Sequence, residues 1–252
     1  MVAGLGGGTG RAIGAAALFA GALLTLAAAA EEARPEPGDI RSLRPGLELS
    51  ELPAEGYFMH ACGSNGGPPL QPIEGWAGYK ACAPDSQGLR EVYVEYDDEL
   101  AVMLRGNPDI DPRDTTLYKY AGTKIAGHPV ILSLLLDEAG VTQAVRAVTD
   151  PRAELEDRRR AYFLRNAVKN RYGPSGWDCT QGRIEAGEAP VGEVFIKERC
   201  EKTVLSARRI VLETRLYRRP GQLGVDAAGN FVPGEFISSA RIESWALPYV
   251  PQ

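Results

Sequence analysis

The chain has 252 residues, of which 44% are hydrophobic and 24% charged, and it carries a formal net charge of −5. Those shares are ordinary for a globular protein and exclude wholesale disorder or a multi-span membrane protein. A weakly acidic whole also argues against general nucleic-acid binding, which needs a basic surface to displace counterions.

The charge is unevenly spread. Residues 31–145 carry 9 basic and 19 acidic side chains, whereas residues 146–252 carry 18 and 14. Two halves of one fold that complement each other account for this pattern. The alternative is a basic face that meets an acidic partner or anionic lipid head groups.

At the N-terminus, Arg11 is the sole charged residue before Glu31, and an apolar run follows it up to Ala27-Ala28-Ala29-Ala30. A positive start, an apolar centre and small residues at the cut describe a secretory signal over residues 1–30, with cleavage near Ala30. The mature chain is therefore expected in the periplasm. The competing reading is an uncleaved anchor, since Ala12–Ala30 is just long enough to span a bilayer. Its Ala and Gly content inserts weakly, and no Cys near the cut supports a lipid anchor. Gly6-Gly7-Gly8-Thr9-Gly10 resembles a phosphate-binding loop, but it lacks the preceding strand that such a loop needs.

Residues 31–56 are rich in Glu, Pro, Arg and Gly and read as an exposed leader or linker, with the folded part starting near Tyr57. Leu89–Tyr96 and Leu100–Leu104 predict a hairpin, and Thr115–Tyr120 a further strand. Pro129–Leu136 and Val141–Thr149, joined by Asp137-Glu138-Ala139-Gly140, give the clearest hairpin of the sequence. A helix follows: Asp150 can cap it, Pro151 suits its first position, and Ala161, Leu164, Val168 and Tyr172 form an apolar stripe before Gly173-Pro174 stops it. Strands are expected over Glu193–Cys200, Ala207–Tyr217 and Phe236–Leu247, with a Gly/Asp/Asn-rich loop at Pro220–Gly234. No fixed repeat is present. The pattern predicts an α+β fold: one domain over 57–252, an antiparallel β-sheet with one long helix (about 151–172) packed on one face, stapled by disulfides.

The four cysteines, Cys62, Cys82, Cys179 and Cys200, suit two disulfides in an exported chain. Three connectivities exist, and the local one, Cys62–Cys82 with Cys179–Cys200, needs no long-range encounter. No Cys-x-x-Cys supports redox catalysis. His60, two positions from Cys62, invites a metal reading, yet its neighbours supply no further ligand, and an ordinary loop histidine is the simpler account. Asp109, Asp111 and Asp114 resemble the first half of a calcium loop, but Pro112 and Tyr118 stand where that loop needs Gly and Glu. A Pro/Asp turn between two strands is the plainer reading.

Arg158, Arg159 and Arg160, with Arg165, Lys169 and Arg171, make the helix basic. A solvated face paired with Glu154, Glu156 and Asp157 is the plain reading, and a docking surface for an anionic lipid or acidic protein the functional one. Trp177, beside Cys179, either plugs the sheet edge or lines a ligand groove with Trp76 and Tyr79. No Gly-x-Ser-x-Gly, His-Glu-x-x-His or Walker loop occurs in the mature chain. No catalytic residue and no cofactor is assigned.

The sequence thus points to an exported periplasmic protein without catalytic activity, a binding or interaction protein of the cell envelope. Its partner would be an envelope protein or an anionic lipid surface, with no nucleic acid and no stable membrane span after signal cleavage. The alternatives are an exported hydrolase-type enzyme whose acid–base pair only the fold assembles, and a calcium-binding module on Asp109, Asp111 and Asp114.

Overall fold

The computed structural model describes Gly4 and residues 40–96, 123–222 and 236–248. The chain divides into two units, Met1–Arg34 and Pro35–Gln252, and the account below concerns the second. The expected strands over Leu100–Leu104 and Thr115–Tyr120, the acidic positions Asp109, Asp111 and Asp114, and the signal segment lie outside the described residues.

Among the described residues, nine strands form one antiparallel sheet: β1 (Tyr57–Cys62), β2 (Arg90–Tyr96), β3 (Lys124–Ile125), β4 (His128–Leu136), β5 (Thr142–Thr149), β6 (Asp178–Gln181), β7 (Ile196–Val204), β8 (Arg208–Tyr217) and β9 (Ile237–Ala246). Their spatial order is β1-β2-β4-β5-β9-β8-β7-β6, with β3 pairing β4 beside that path. β9 inserts between β5 and β8, so the last strand joins the two halves of the sheet. The β4–β5 turn forms as its residues dictate. The Asp137 carboxylate accepts the N–H groups of Ala139 and Val141, and Gly140 takes φ +85°. A short polar side chain and a glycine are what such a turn asks for.

Alternation along the strands gives the sheet two unlike faces. On one, a row crosses six strands as Val94, Leu132, Ala147, Ile242, Leu212 and Cys200, each directly opposite the next. All six belong to the main core cluster. Shifted by one residue, and therefore pointing the other way, runs Tyr93, Ser133, Arg146, Glu243, Val211 and Glu201.

The core corrects the expected leader. Ile40, Leu43, Leu47 and Leu52 are buried and belong to the same cluster as the apolar row. Residues 40–52 are thus anchored structure rather than an exposed stretch, and Thr142 ties them down by accepting from the Gly46 N–H and donating to Leu47. Their spacing at three to five residues fits neither a strand nor a helix, so no periodicity announces them.

The helix is 17 residues long and starts later than the cap signal implies. It comprises α1 (Leu155–Arg160), a 3₁₀ turn at Ala161–Phe163 and α2 (Leu164–Arg171). Asp150 does not cap it. Its carboxylate accepts the Arg152 N–H two residues on and pairs with the Arg152 guanidinium, which makes a local turn of the Asp-Pro step. Leu164 and Val168 join the core cluster, with Ala167, Tyr172 and Trp177 against it. The stop at Gly173 is where the sequence places it, at φ +89°. No helix among the described residues is long and apolar enough to cross a membrane.

Both disulfides take the local pairing, Cys62–Cys82 and Cys179–Cys200. The first joins the end of β1 to the 3₁₀ segment Trp76–Ala81, and the second links β6 to β7 at directly opposed positions. Each removes loop-closure entropy from the unfolded chain, worth roughly 3 kcal/mol for a loop of this size.

Candidate functional site

Two places bring chemistry-bearing side chains together, one on each face of the sheet. The first is a cavity of about 490 Å³ over the apolar row. Three local structures frame it. Ile40 and Leu43 bond reciprocally through their backbones around Arg41 and Ser42, which both take positive φ. The Tyr57 phenol donates to the Arg41 carbonyl, and the Arg41 guanidinium donates to the Lys124 carbonyl. Ala126 and Gly127, again with positive φ at both positions, make the tight turn from β3 to β4. α2 closes the remaining side.

Ile40, Val168 and Ile242 form the buried part of the lining, with Tyr96, Ile125 and Ala167 around them. Arg41 and Arg171 also line it, and the Arg41 guanidinium lies 5.2 Å from the centre of the Tyr96 ring. No acidic side chain stands among the described lining residues. The lining combines apolar contact area inside with two guanidinium groups on its boundary. The volume lies within the roughly 300–1,000 Å³ of small-molecule sites.

The second place is an ion network on the opposite face. Arg146, only 6% exposed, sits on the central strand β5. Its Nε donates to Glu243 Oε1 at 2.7 Å, and its Nη1 lies 3.0 Å from Glu91 Oε2. Arg241 adds two bonds to Glu243 Oε1, at 2.6 and 2.9 Å, and the Trp245 indole donates to Glu243 Oε2 at 3.0 Å. Glu91 accepts from the Ser133 hydroxyl at 2.6 Å and from the backbone N–H groups of Asn65 and Gly66. Arg241 in turn holds the Asn65 carbonyl and side chain.

The loop carrying Asn65 and Gly66 is thereby clamped on the sheet. A Cβ at Gly66 would stand 2.4 Å from Val148 Cγ2, and one at Gly63 would stand 2.3 Å from Glu91 Cγ. Glycine permits that close approach.

Burial alone would raise the Glu243 carboxyl, but the guanidiniums of Arg146 and Arg241 outweigh it and hold it below the usual glutamate range. Burial likewise works to lower Arg146, and Glu91 and Glu243 overcome it, so the net direction is upward. A carboxylate held ionised in this way is the reverse of a general acid, whose proton affinity must be raised toward neutrality. The network fastens a loop.

The residues singled out from the sequence are scattered. Arg158 and Arg160 are exposed and Arg159 half-buried, and none of their guanidiniums has an ion-pair partner among the described residues. The expected pairing with Glu154, Glu156 and Asp157 does not form. Arg165 and Lys169 instead reach across to Glu198 on β7. Trp177 donates to the Gly173 carbonyl and carries Lys202 5.7 Å from its ring centre.

Trp76 belongs to the other edge of the sheet, where its ring packs edge-on against His60 at 4.7 Å and its indole bonds the Pro53 carbonyl. Tyr79 donates to the Glu138 carbonyl. A shared groove of Trp76, Tyr79 and Trp177 does not exist, because β1 and β6 are opposite ends of the strand order.

The sulfur donors beside His60 and Glu198 are not available to a metal. His60 lies on strand β1 rather than in a loop, burial lowers its pKa, and its neighbour Cys62 is bridged. Ligand atoms of Cys179, Glu198 and Cys200 do lie within 4.8 Å of one another. Both sulfurs are spent in the disulfide, so no thiolate is on offer.

Sequence reasoning names neither Glu91, Arg146 and Glu243 nor the cavity. A charged residue in the middle of an otherwise apolar strand, as Arg146 is within Ala144–Val148, was the one available signal. No family model, curated protein or solved structure matches the chain, so the site stands on its own geometry.

Proposed function

We propose that this chain is an exported, non-catalytic binding protein that holds a small apolar or amphiphilic molecule between its helix and the apolar face of its sheet. The observation that carries the reading is the 490 Å³ cavity lined by Tyr96, Ile125, Ala167, Val168 and Ile242. In this view the helix lies over one face of the sheet and leaves the cavity beside it. The signal-like residues 1–30 direct the chain to the periplasm, where an oxidising environment keeps Cys62–Cys82 and Cys179–Cys200 closed. A mature N-terminus near Glu31, sequenced from the envelope fraction, is the expected result for export, and an intact Met1 in the cytoplasm would overturn it.

Binding is tested with N-phenyl-1-naphthylamine, a neutral apolar fluorophore. The mature chain should give saturable fluorescence enhancement, and Ala167→Trp, which fills the cavity from α2, should abolish it while leaving the circular dichroism and melting temperature unchanged. Equal enhancement by wild type and variant would place the dye elsewhere and sink the cavity reading.

A second reading has one observation in its favour. Arg158, Arg159 and Arg160 lack ion-pair partners among the described residues, and beside them Tyr162 stacks on the exposed Phe163 at 4.1 Å. Such a basic, aromatic turn suits an anionic envelope surface. Replacing all three arginines by Glu should then lower co-sedimentation with vesicles containing phosphatidylglycerol, and unchanged co-sedimentation would remove this reading.

A further inference from the structure

The strand order ends in two edges, β1 and β6, and the chain treats them differently. The outer side of β1 is occupied by a later segment of the chain itself. Cys62 donates its N–H to the Gln71 carbonyl and accepts from Leu70, and the His60 carbonyl accepts from Ile73. Ala61 and Pro72 complete that cover as an isolated bridge. A neighbour of this kind removes the row of unpaired backbone groups that an edge otherwise presents.

β6 pairs with β7 alone. Its residues Asp178, Cys179, Thr180 and Gln181 are all exposed. Beyond them the Gly182 N–H donates to the Lys197 carbonyl, which fixes the phase of the ladder. Bonded positions alternate in an antiparallel pair, so Asp178 and Thr180 spend their backbone groups on β7. Cys179 and Gln181 turn theirs outward, where no backbone N–H or carbonyl among the described residues meets them. The Cys179–Cys200 disulfide joins directly opposed residues and holds this short edge to the sheet. An edge fixed in advance loses little freedom when a further strand adds to it.

The ends of this edge carry opposite charges. Asp178 opens the strand, and Arg183 follows shortly after its last residue. Among the described residues neither side chain has a hydrogen-bond or ion-pair partner. An antiparallel copy of the same edge, related by a two-fold axis at Thr180, sets Cys179 against Gln181 of the second copy and satisfies the outward groups of both. It also brings each Asp178 to the end of the opposing strand from which Arg183 leaves, twice over by symmetry. A strand of unrelated sequence would gain the backbone bonds only.

We propose that β6 is an interface between two copies of this chain, which pair edge to edge about Thr180 and join their sheets into one. The proposal is independent of the cavity reading.

The test uses the mature chain with its disulfides intact. In sedimentation equilibrium its mass should climb with concentration toward twice that of the chain. Gln181→Pro removes an outward donor without touching a β7 bond. It should hold the mass at that of the monomer, with circular dichroism and melting temperature unchanged. Asp178→Arg and Arg183→Asp should each weaken dimerisation roughly tenfold, because every change is made twice across the axis. Combining the two restores the charge match and should return association to near the wild-type strength, a rescue that misfolding cannot imitate.

Thr180→Cys reads the axis directly. Opposed residues of a non-bonded pair approach closely enough for a disulfide, so mild oxidation should give a covalent dimer through the new thiol. Asp178→Cys, set against Gly182 of the second copy, should not. A chain that stays monomeric at every concentration overturns the proposal. A dimer that survives Gln181→Pro, or that the charge swap fails to restore, places the interface elsewhere and overturns it too. Covalent dimers through position 178 but not position 180 overturn the two-fold axis at Thr180.

Discussion

The two faces of the sheet are both buried at their centre, and they are buried by opposite means. On one, Val94, Leu132, Ala147, Ile242, Leu212 and Cys200 make a continuous apolar row that shares one core cluster with Ile40, Leu43, Leu47 and Leu52 and with Leu164 and Val168. On the other, one residue along each strand, Arg146 and Glu243 occupy the same central strands, flanked by Ser133 and Glu91 and roofed by the loop at Asn65-Gly66. The first face gains its stability from area removed from water and tolerates rearrangement, which is why it can leave a cavity. The second must satisfy every donor and acceptor it buries, because an unpaired buried charge costs far more than a paired one returns.

The sharpest way to break the comparison is to remove the centre of the charged face. Arg146→Met leaves Glu91 and Glu243 facing each other without their shared cation, and should cost about 3–5 kcal/mol in urea unfolding, the range for stripping one member from a buried ion group. The matching change on the apolar face is Leu132→Ala, at a position that is fully buried. It should cost about 2–5 kcal/mol, depending on how far residues around it collapse. The two variants should differ in kind as well as size. Arg146→Met should also raise proteolysis within residues 63–68, whose clamp it loosens, whereas Leu132→Ala should not.

The faces should also part company in acid. Glu243 has a folded pKa below its unfolded value of about 4.3. A depressed carboxylate contributes stability that is complete above the unfolded pKa and is lost as the pH falls through the folded one. Melting temperature should therefore drop as the pH is lowered from 5 toward 3. In Glu243→Gln the drop should be shallower, starting from a neutral-pH stability lower by about 1.5–3 kcal/mol, the worth of hydrogen bonds to a charged group. Identical acid profiles for wild type and variant would show that the network does not govern this range.

What the sequence reveals of these faces follows from how each is encoded. The apolar row is written locally, in the alternation of β4, β5, β8 and β9, and all four strands are legible within two or three residues of their ends. β1 is not, because Met59 takes φ +54° and the register slips between Phe58 and Ala61, so Tyr-Phe-Met-His-Ala-Cys shows no period. Ile40, Leu43, Leu47 and Leu52 are hidden for a similar reason: they bury side chains without forming a regular element. The charged face is written non-locally. Arg146 and Glu243 are 97 positions apart, and only the placing of β9 beside β5 makes them partners. The cavity depends on three separate elements meeting, and no one of them carries its signature.

The smallest effect lies at the hairpin that extends both faces outward, where β7 turns into β8. Leu205 and Ser206 are the two central residues of its turn, which the Ala207 N–H closes onto the Val204 carbonyl, and both take φ +52°. Such a loop matches the twist of its strands only when both residues are left-handed, a conformation that Asn and Gly adopt at little cost and a branched aliphatic does not. Leu205 is 65% exposed, so it returns no burial for the strain it accepts. The chain here has the strand pairing it needs, from Thr203 opposite Arg209 inward, and holds it with an unsuitable turn. Leu205→Asn combined with Ser206→Gly should raise stability by about 0.5–1 kcal/mol in urea unfolding. It should leave dye binding unchanged, because neither residue lines the cavity. A loss of stability would mean that Leu205 is held by a contact worth more than the backbone strain, and would make its exposed side chain the next place to look for a partner.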